Sequence, residues 1–281
     1  MLRVICFIKQ VPDTSSKAGV NADGTIDRAS AKRMINPFDR FALQKAIELK
    51  RSYGAEITCA TMGPPPALEV LVEGLEHGAD YGVLLTDRRL AVSDTLAPSC
   101  ALSAVIKHFG PFDIVLTGLQ TTDGDTAQTG PEIAERIDYP QISYCEQLSL
   151  DGTKVLARRV VEGGFQEVES TLPVLVTVAN SATPLELKNF CNVAGVKELL
   201  RNPEQKSAKL KIVSLDDIGA DPSRVGIVGS PTVVGKTWKL GDIAGSCVMF
   251  MGESAEHEVS ELVTCLIEDK RKSEIGELVN V

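Results

Sequence analysis

The sequence predicts an α/β protein: a doubly wound, mostly parallel sheet followed by an antiparallel meander and then a C-terminal arm and helix. Three observations carry this. Up to Pro140, short β-branched runs alternate with segments of helical period. After Pro140, apolar runs are separated by turn residues, Asp151-Gly152 and Glu162-Gly163-Gly164. The chain has 281 residues, 43% of them hydrophobic. That is enough to bury one large core, or one core and a smaller lobe.

The first strand is expected at Val4–Ile8. Phe38–Tyr53 has Phe38, Phe41, Ala42, Ala46 and Leu49 on one helical face and Pro37 near its start. Glu56–Thr61 is the second strand, ended by Gly63-Pro64-Pro65-Pro66, and Leu68–His77 is a helix stopped by Gly78. A strand at Gly82–Thr86, a helix over Thr95–His108, a strand at Asp113–Thr117 and a helix from Pro131 complete the alternation. Short connections between such units imply a parallel sheet covered on both faces. The meander comprises Ile142–Leu150, Val155–Val161 and Gln166–Ser170, and Leu172–Ala179 reads as a buried strand. Pro184 to Leu215 is charged, with weak helical periodicity at Val193–Leu200. Ser230–Asp242 reads as extended and Glu253–Asp269 as a helix. The simplest division is an α/β domain over 1–215 and an arm with a terminal helix over 216–281, the latter needing something to pack on.

Charge and residue usage narrow the chemistry. With 29 Lys+Arg against 38 Asp+Glu the net charge is −9, which argues against nucleic acid and anionic lipid as partners. No apolar run reaches the length of a membrane helix, and the N-terminus does not read as a signal peptide. Seven dispersed cysteines without a CxxC pair fit reduced thiols in a cytoplasmic protein and argue against a metal site. The three histidines (His77, His108, His257) are far apart, so histidine catalysis has little support. Gly229 to Lys236 looks like a Walker A loop but has five residues between its glycines, one too many.

Function is therefore expected in backbone and small polar groups. The most informative stretch is Thr117-Gly118-Leu119-Gln120-Thr121-Thr122-Asp123-Gly124-Asp125-Thr126-Ala127-Gln128-Thr129-Gly130-Pro131-Glu132, between a strand end and a helix start. Open α/β sheets bind ligands there. Its glycines permit close approach, its threonines and amides can donate to phosphate, and the next helix points its positive end at the same place. Lys9 to Asp13, Met62 to Pro64 and the Thr86 to Ser99 stretch follow other strand ends and can converge on the same crevice. Ser93, Asp94 or Thr95 is the expected N-cap of the helix there, and Arg88 and Arg89 are able to reach a diphosphate.

These motifs resemble the beta subunit of electron-transfer flavoproteins over nearly the whole chain. The resemblance rests on Lys9-Gln10-Val11-Pro12-Asp13, Asn36-Pro37-Phe38-Asp39, Ala60-Thr61-Met62-Gly63-Pro64, the Asp123 to Gln128 loop, and Arg158 through Gly164 to Pro173. It implies a flavodoxin-like, adenine-nucleotide-binding domain paired with an alpha subunit that carries FAD. It assigns nucleotide contacts to Phe7, Lys9, Asn36, Asp39 and Met62, and to Gly118, Gln120, Thr121, Thr122, Asp123, Gly124, Asp125, Thr126, Ala127, Gln128 and Thr129. Asp94, Thr95 and Ser99, at a helix start, are assigned to the diphosphate. Some such subunits hold a structural AMP; others hold a second FAD, accept hydride from NADH and bifurcate electrons to the alpha-subunit FAD and to ferredoxin or flavodoxin. The Ser93-Asp94-Thr95 element resembles the second group, so FAD is the expected occupant and AMP the alternative. A nucleotide-binding stress or regulatory protein is a rival from another class. Three departures stand out: Leu119 where Lys is common, Pro98 for a usual Thr, and Pro184 to Cys191, which diverges from the family's loop for a flavin dehydrogenase. An acyl-CoA dehydrogenase is therefore not assumed as the partner.

Overall fold

Strand and helix signals alternate in the first half because each β-branched run is too short to bury itself without a helix laid across it. The computed structural model describes residues 1–13, 19–20, 26–27, 32–233, 248–252 and 254–279. In chain order the strands and helices are β1 (Arg3–Phe7), β2 (Gln10–Pro12), β3 (Gly19–Val20), β4 (Ile26–Asp27), β5 (Arg33–Ile35), α1 (Pro37–Tyr53), β6 (Glu56–Met62), α2 (Leu68–His77), β7 (Tyr81–Leu85), α3 (Leu96–Phe109), β8 (Ile114–Gly118) and α4 (Thr129–Ile137). Next come β9 (Gln141–Asp151), β10 (Lys154–Val161), β11 (Gly164–Thr171), β12 (Val174–Val178), α5 (Phe190–Arg201), α6 (Pro203–Lys209), β13 (Leu210–Val213) and α7 (Ala255–Val279).

Among the described residues nine strands form one sheet in the order β11-β10-β9-β12-β8-β1-β6-β7-β13. Pairing is parallel from β9 through β13, while β9, β10 and β11 form the antiparallel meander. The chain leaves β1 for β6 on one side and later returns to β8 on the other. The strand order thus reverses at β1 and β8, which opens a crevice at their carboxyl ends.

Each face of the sheet has its own core. Val4, Cys6, Ile57 and Leu116 meet α1 and α2 through Leu43, Ala46 and Leu71. Ile5, Val83, Val115 and Leu175 meet α3 and α4 through Ala101, Val105 and Ile133. Alternation along each strand sends neighbours to opposite faces, which is why these strands read as continuous apolar runs. Helix α2 stops at Gly78, whose φ of 117° is open to glycine, and α1 stops at Gly54 (φ 66°).

The mostly parallel sheet, the meander and every helix expected in the first half are present. Besides the short helix α6 and the β3–β4 pair, two features escaped the periodicity. Strand β13 extends the parallel edge beside β7, and a β2–β5 hairpin precedes α1. Residues 216–233 belong to the first of two compact units, Met1–Thr237, and send Ile218 and Val225 into the α3/α4 core. The arm expected from 216 onward thus begins with a segment packed on the sheet domain. The extended stretch expected at Ser230–Asp242 lies largely outside the described residues. In the second unit, Trp238–Val281, α7 carries Val259, Leu262, Val263 and Leu266 as exposed apolar side chains. No helix among the described residues is long and apolar enough to cross a membrane.

Candidate functional site

The crevice floor is built from the first residues beyond β1 and β8. Gly118 ends β8 where a Cβ would stand 2.7 Å from the Asp39 amide nitrogen and the Phe38 carbonyl carbon, so only glycine lets α1 approach. Asp39, in the first turn of α1, is buried and accepts the Lys9 N–H at 2.7 Å. Burial pushes its carboxyl up to about 7, against the opposing pull of the Lys9 N–H, the Asn36 side chain and the Gly118 N–H. It ties α1 to both walls of the crevice from below.

Asn36, fully buried just before α1, holds the loop between β8 and α4. Its amide donates to the Gln120 carbonyl at 2.7 Å, and its side-chain oxygen accepts the Thr122 N–H at 3.2 Å. One side chain thus satisfies both a donor and an acceptor of the loop backbone. Lys9 closes the same loop from the other wall, its Nζ 2.7 Å from Asp123 Oδ1. Burial raises the Asp123 carboxyl, but the Lys9 bond and charge outweigh it and leave the group below its ordinary value. Gln120 donates to Asp125 within the loop. Asp125 and Ala127 both have φ of 55°, in the left-handed region that costs a non-glycine residue about 1–2 kcal/mol. Strain of this kind persists only where surroundings fix it. Residues 122–126 face solvent over the crevice.

The loop runs into α4 through Gly130, where a Cβ would meet Thr117 Oγ1 and Thr177 Cγ2 at 2.8 Å. The start of α4 therefore sits directly on β8 and β12. Thr61 Oγ1 on β6 and Thr117 Oγ1 on β8 are buried without a hydrogen-bond partner. Each is a polar group near the carboxyl end of a crevice strand. Phe7 and Met62 end β1 and β6; Phe7 is buried in the α3/α4 core and Met62 packs partly against it.

On the α3 side the expected cap is present and its polar groups are engaged within the chain. Of the three candidate caps, Asp94 takes the role: its Oδ1 accepts the Leu96 and Ala97 N–H groups at 2.9 and 3.2 Å. Pro98 has no N–H, and the Ser99 N–H goes to the Thr95 carbonyl. The donors of this helix end are taken by the chain itself. Ser99 is fully buried, donating to the Leu96 carbonyl and accepting from Arg136 Nε at 2.8 Å. Thr95 reaches across to α4, its hydroxyl 3.0 Å from Glu132 Oε1 and 3.3 Å from Gln128 Oε1. Arg89 is gripped by Asp87 and Asp216 at 2.6 and 2.9 Å, while Arg88 is exposed. Sequence reasoning placed Lys9, Asn36, Asp39 and the 118–129 loop together, and the structure brings them together. It gave no role to Thr61, and it did not foresee that Glu132 meets Thr95 or that Ser230 and Thr232 meet Asp94, since these contacts join distant parts of the chain.

A second feature lies away from the crevice. Residues 184–190 cross the surface of α1 and α2, clamped by a two-pronged Arg51–Glu186 pair at 2.7 and 2.8 Å and by Lys188–Glu76 at 2.6 Å. Between the clamps Leu187 is 98% exposed, and Phe190 is 82% exposed.

Fold and crevice are those of the doubly wound class, in which ligands bind outside the carboxyl ends of the strands at the point of reversal. Comparison with known proteins gives the particular family. The electron transfer flavoprotein domain matches residues 23–218. The chain is 39% identical over 236 residues to an electron transfer flavoprotein subunit beta of Clostridium acetobutylicum, covering 84% of this chain and 87% of that one. It is 36% identical to the acryloyl-CoA reductase electron transfer subunit gamma of Anaerotignum propionicum, over 95% and 98% of the two chains. It is 39% identical to protein FixA of Bradyrhizobium diazoefficiens, over 98% and 94%. The chain belongs to the electron transfer flavoprotein family, in its beta-subunit group.

Proposed function

We propose that this chain is the nucleotide-binding beta subunit of a heterodimeric electron transfer flavoprotein, with FAD in the β1/β8 crevice. The observation that carries the reading is the loop 119–129, fixed over the strand reversal by Asn36 and Lys9. The residues fit the group. Gly118 lets α1 and its buried Asp39 close the crevice floor, threonine hydroxyls and loop amides supply donors, and Asp123 and Asp125 offer acceptors for ribose hydroxyls. Gly130 lets the positive end of α4 approach the same place.

A bound flavin would supply the redox chemistry, taking hydride from NADH and passing electrons singly to the alpha-subunit FAD and to ferredoxin or flavodoxin. The chain's own residues bind and orient it. Asn36 and Lys9 hold the loop, Phe7 and Met62 provide an apolar wall, and Asp39 fixes the floor. No side chain need act as acid or base. The exposed stripe on α7 supports an alpha subunit as partner, and the clamped Leu187 loop supports a flavin dehydrogenase as a transient one.

A second reading is favoured by one observation. The N–H groups at the start of α3 are occupied by Asp94, which leaves the α4 side as the remaining anion-facing helix end. AMP, with a single phosphate, needs only that side, and the chain would then be a carrier without NADH chemistry. Titration of the purified heterodimer with NADH separates the two. Bleaching of one flavin per heterodimer before any partner is added supports FAD in the beta crevice; a spectrum indifferent to NADH supports AMP.

A further inference from the structure

Every acceptor on Asp94 is turned toward the chain itself. Besides capping α3, its Oδ2 accepts the hydroxyl and N–H of Thr232 at 3.1 and 3.3 Å. Its own N–H donates to Ser230 Oγ at 2.9 Å, and the Ser230 hydroxyl donates to the Gly226 carbonyl at 2.7 Å. Residues 225–232 thus form a strap held at Asp94, 138 positions away in sequence at its far contact.

The strap crosses the turn after β7 backbone against backbone. Gly226 has φ of 62°, and a Cβ there would fall on the Arg89 carbonyl oxygen, while Gly229 folds the strap back on its own start, where a Cβ would meet the Val225 nitrogen at 2.3 Å. Val225 and Ser230 are buried at either end, while Ile227 and Val228 stand exposed at the crest. A crossing this close is seated or unseated as a unit, because no side chain cushions it.

Thr95, next to Asp94, bonds Gln128 and Glu132 at the end of the 119–129 loop. Glu132 Oε2 is buried beside this contact without a partner. A continuous path therefore runs from Thr232 through Asp94 and Thr95 to the loop over the crevice. We propose that Asp94 is a positioning residue that couples the seating of the 225–232 strap to the nucleotide loop, so that a strap seated on Asp94 makes the crevice hold its nucleotide more firmly. For its ligand the inference rests on the nucleotide reading above; for the coupling it rests on this hydrogen-bonded path alone.

Thr232→Val removes the strap's hydroxyl donor with little change of shape, and Thr232→Ser restores it. AMP and FAD affinities of the full chain are measured by calorimetry, and amide exchange of residues 119–129 by mass spectrometry. The expected result is a loss of about fivefold or more in affinity for T232V, with faster exchange in the loop, and wild-type behaviour for T232S. Asp94→Ala should repeat the T232V effect more strongly. Unchanged affinity and unchanged loop exchange in T232V would overturn the coupling. If the wild-type chain binds neither nucleotide, the nucleotide reading falls, and loop exchange in T232V against T232S alone decides the coupling.

Discussion

Asp39 concentrates the chemistry of the crevice floor in one carboxyl. Its folded pKa of about 7 lies above the ordinary carboxylate value because burial opposes the charge. The native state then holds a proton that the unfolded chain has released. This group's contribution to stability is full below the ordinary value and declines as pH rises from about 4 to about 7, by on the order of 1 kcal/mol per pH unit. Asp39→Asn removes the titration, so melts of the variant across that window should show a shallower fall than the wild type; parallel curves would mean Asp39 is ionised throughout. Gly118→Ala is the steric counterpart. Pressing a methyl against the α1 backbone should destabilise the fold by about 1–3 kcal/mol in urea melts, and an unaffected midpoint would show that α1 can retreat. Both residues were singled out in the sequence, Gly118 within the loop and Asp39 within Asn-Pro-Phe-Asp. Their mutual contact was not legible, because it joins positions 79 apart in the chain.

The loop between β8 and α4 is an element with two unequal fastenings. Asn36 is buried and bonds the loop backbone twice, so Asn36→Ala strands a donor and an acceptor and should cost about 1–3 kcal/mol, with faster exchange at residues 120–122. Lys9–Asp123 is a half-exposed pair, 43% and 32% accessible. Lys9→Met should therefore shift the melt by no more than about 1 kcal/mol yet weaken nucleotide retention, because it frees the exposed tip of the loop. An equal loss of stability from both variants would contradict this division. Element placement in the first half followed from periodicity: α2 buries Val70, Leu71, Gly74 and Leu75 at helical spacing, whereas α1, marked by its Phe38 to Leu49 stripe, is buried all round from Ala42 to Ile47. β13 escaped because it is four residues long, follows a charged run and keeps Lys211 and Ile212 exposed. Its pairing with β7 rests on tertiary contact that no local pattern encodes. The Asp94 cap was among the expected choices, while its tie to Thr232 was not: the Gly229 to Lys236 stretch stood out in the sequence, but a contact 138 positions away has no local signal.

At the scale of the whole molecule, the sparse histidines and dispersed cysteines match a subunit that positions a cofactor and leaves redox chemistry to it. The sheet reversal sets where the nucleotide would lie, and away from it Leu187 and the apolar side chains of α7 stand exposed, where the proposed function places the partner proteins. Leu187→Ala should accordingly slow electron transfer to or from a flavin dehydrogenase while leaving nucleotide content unchanged; a parallel loss of nucleotide would show that the loop and the crevice are not independent. The central claim is the identity of the crevice's occupant. It is tested most directly by acid extraction of the purified heterodimer and chromatographic counting of its nucleotides. The account predicts two FAD per heterodimer and no AMP; one FAD with one AMP would contradict it.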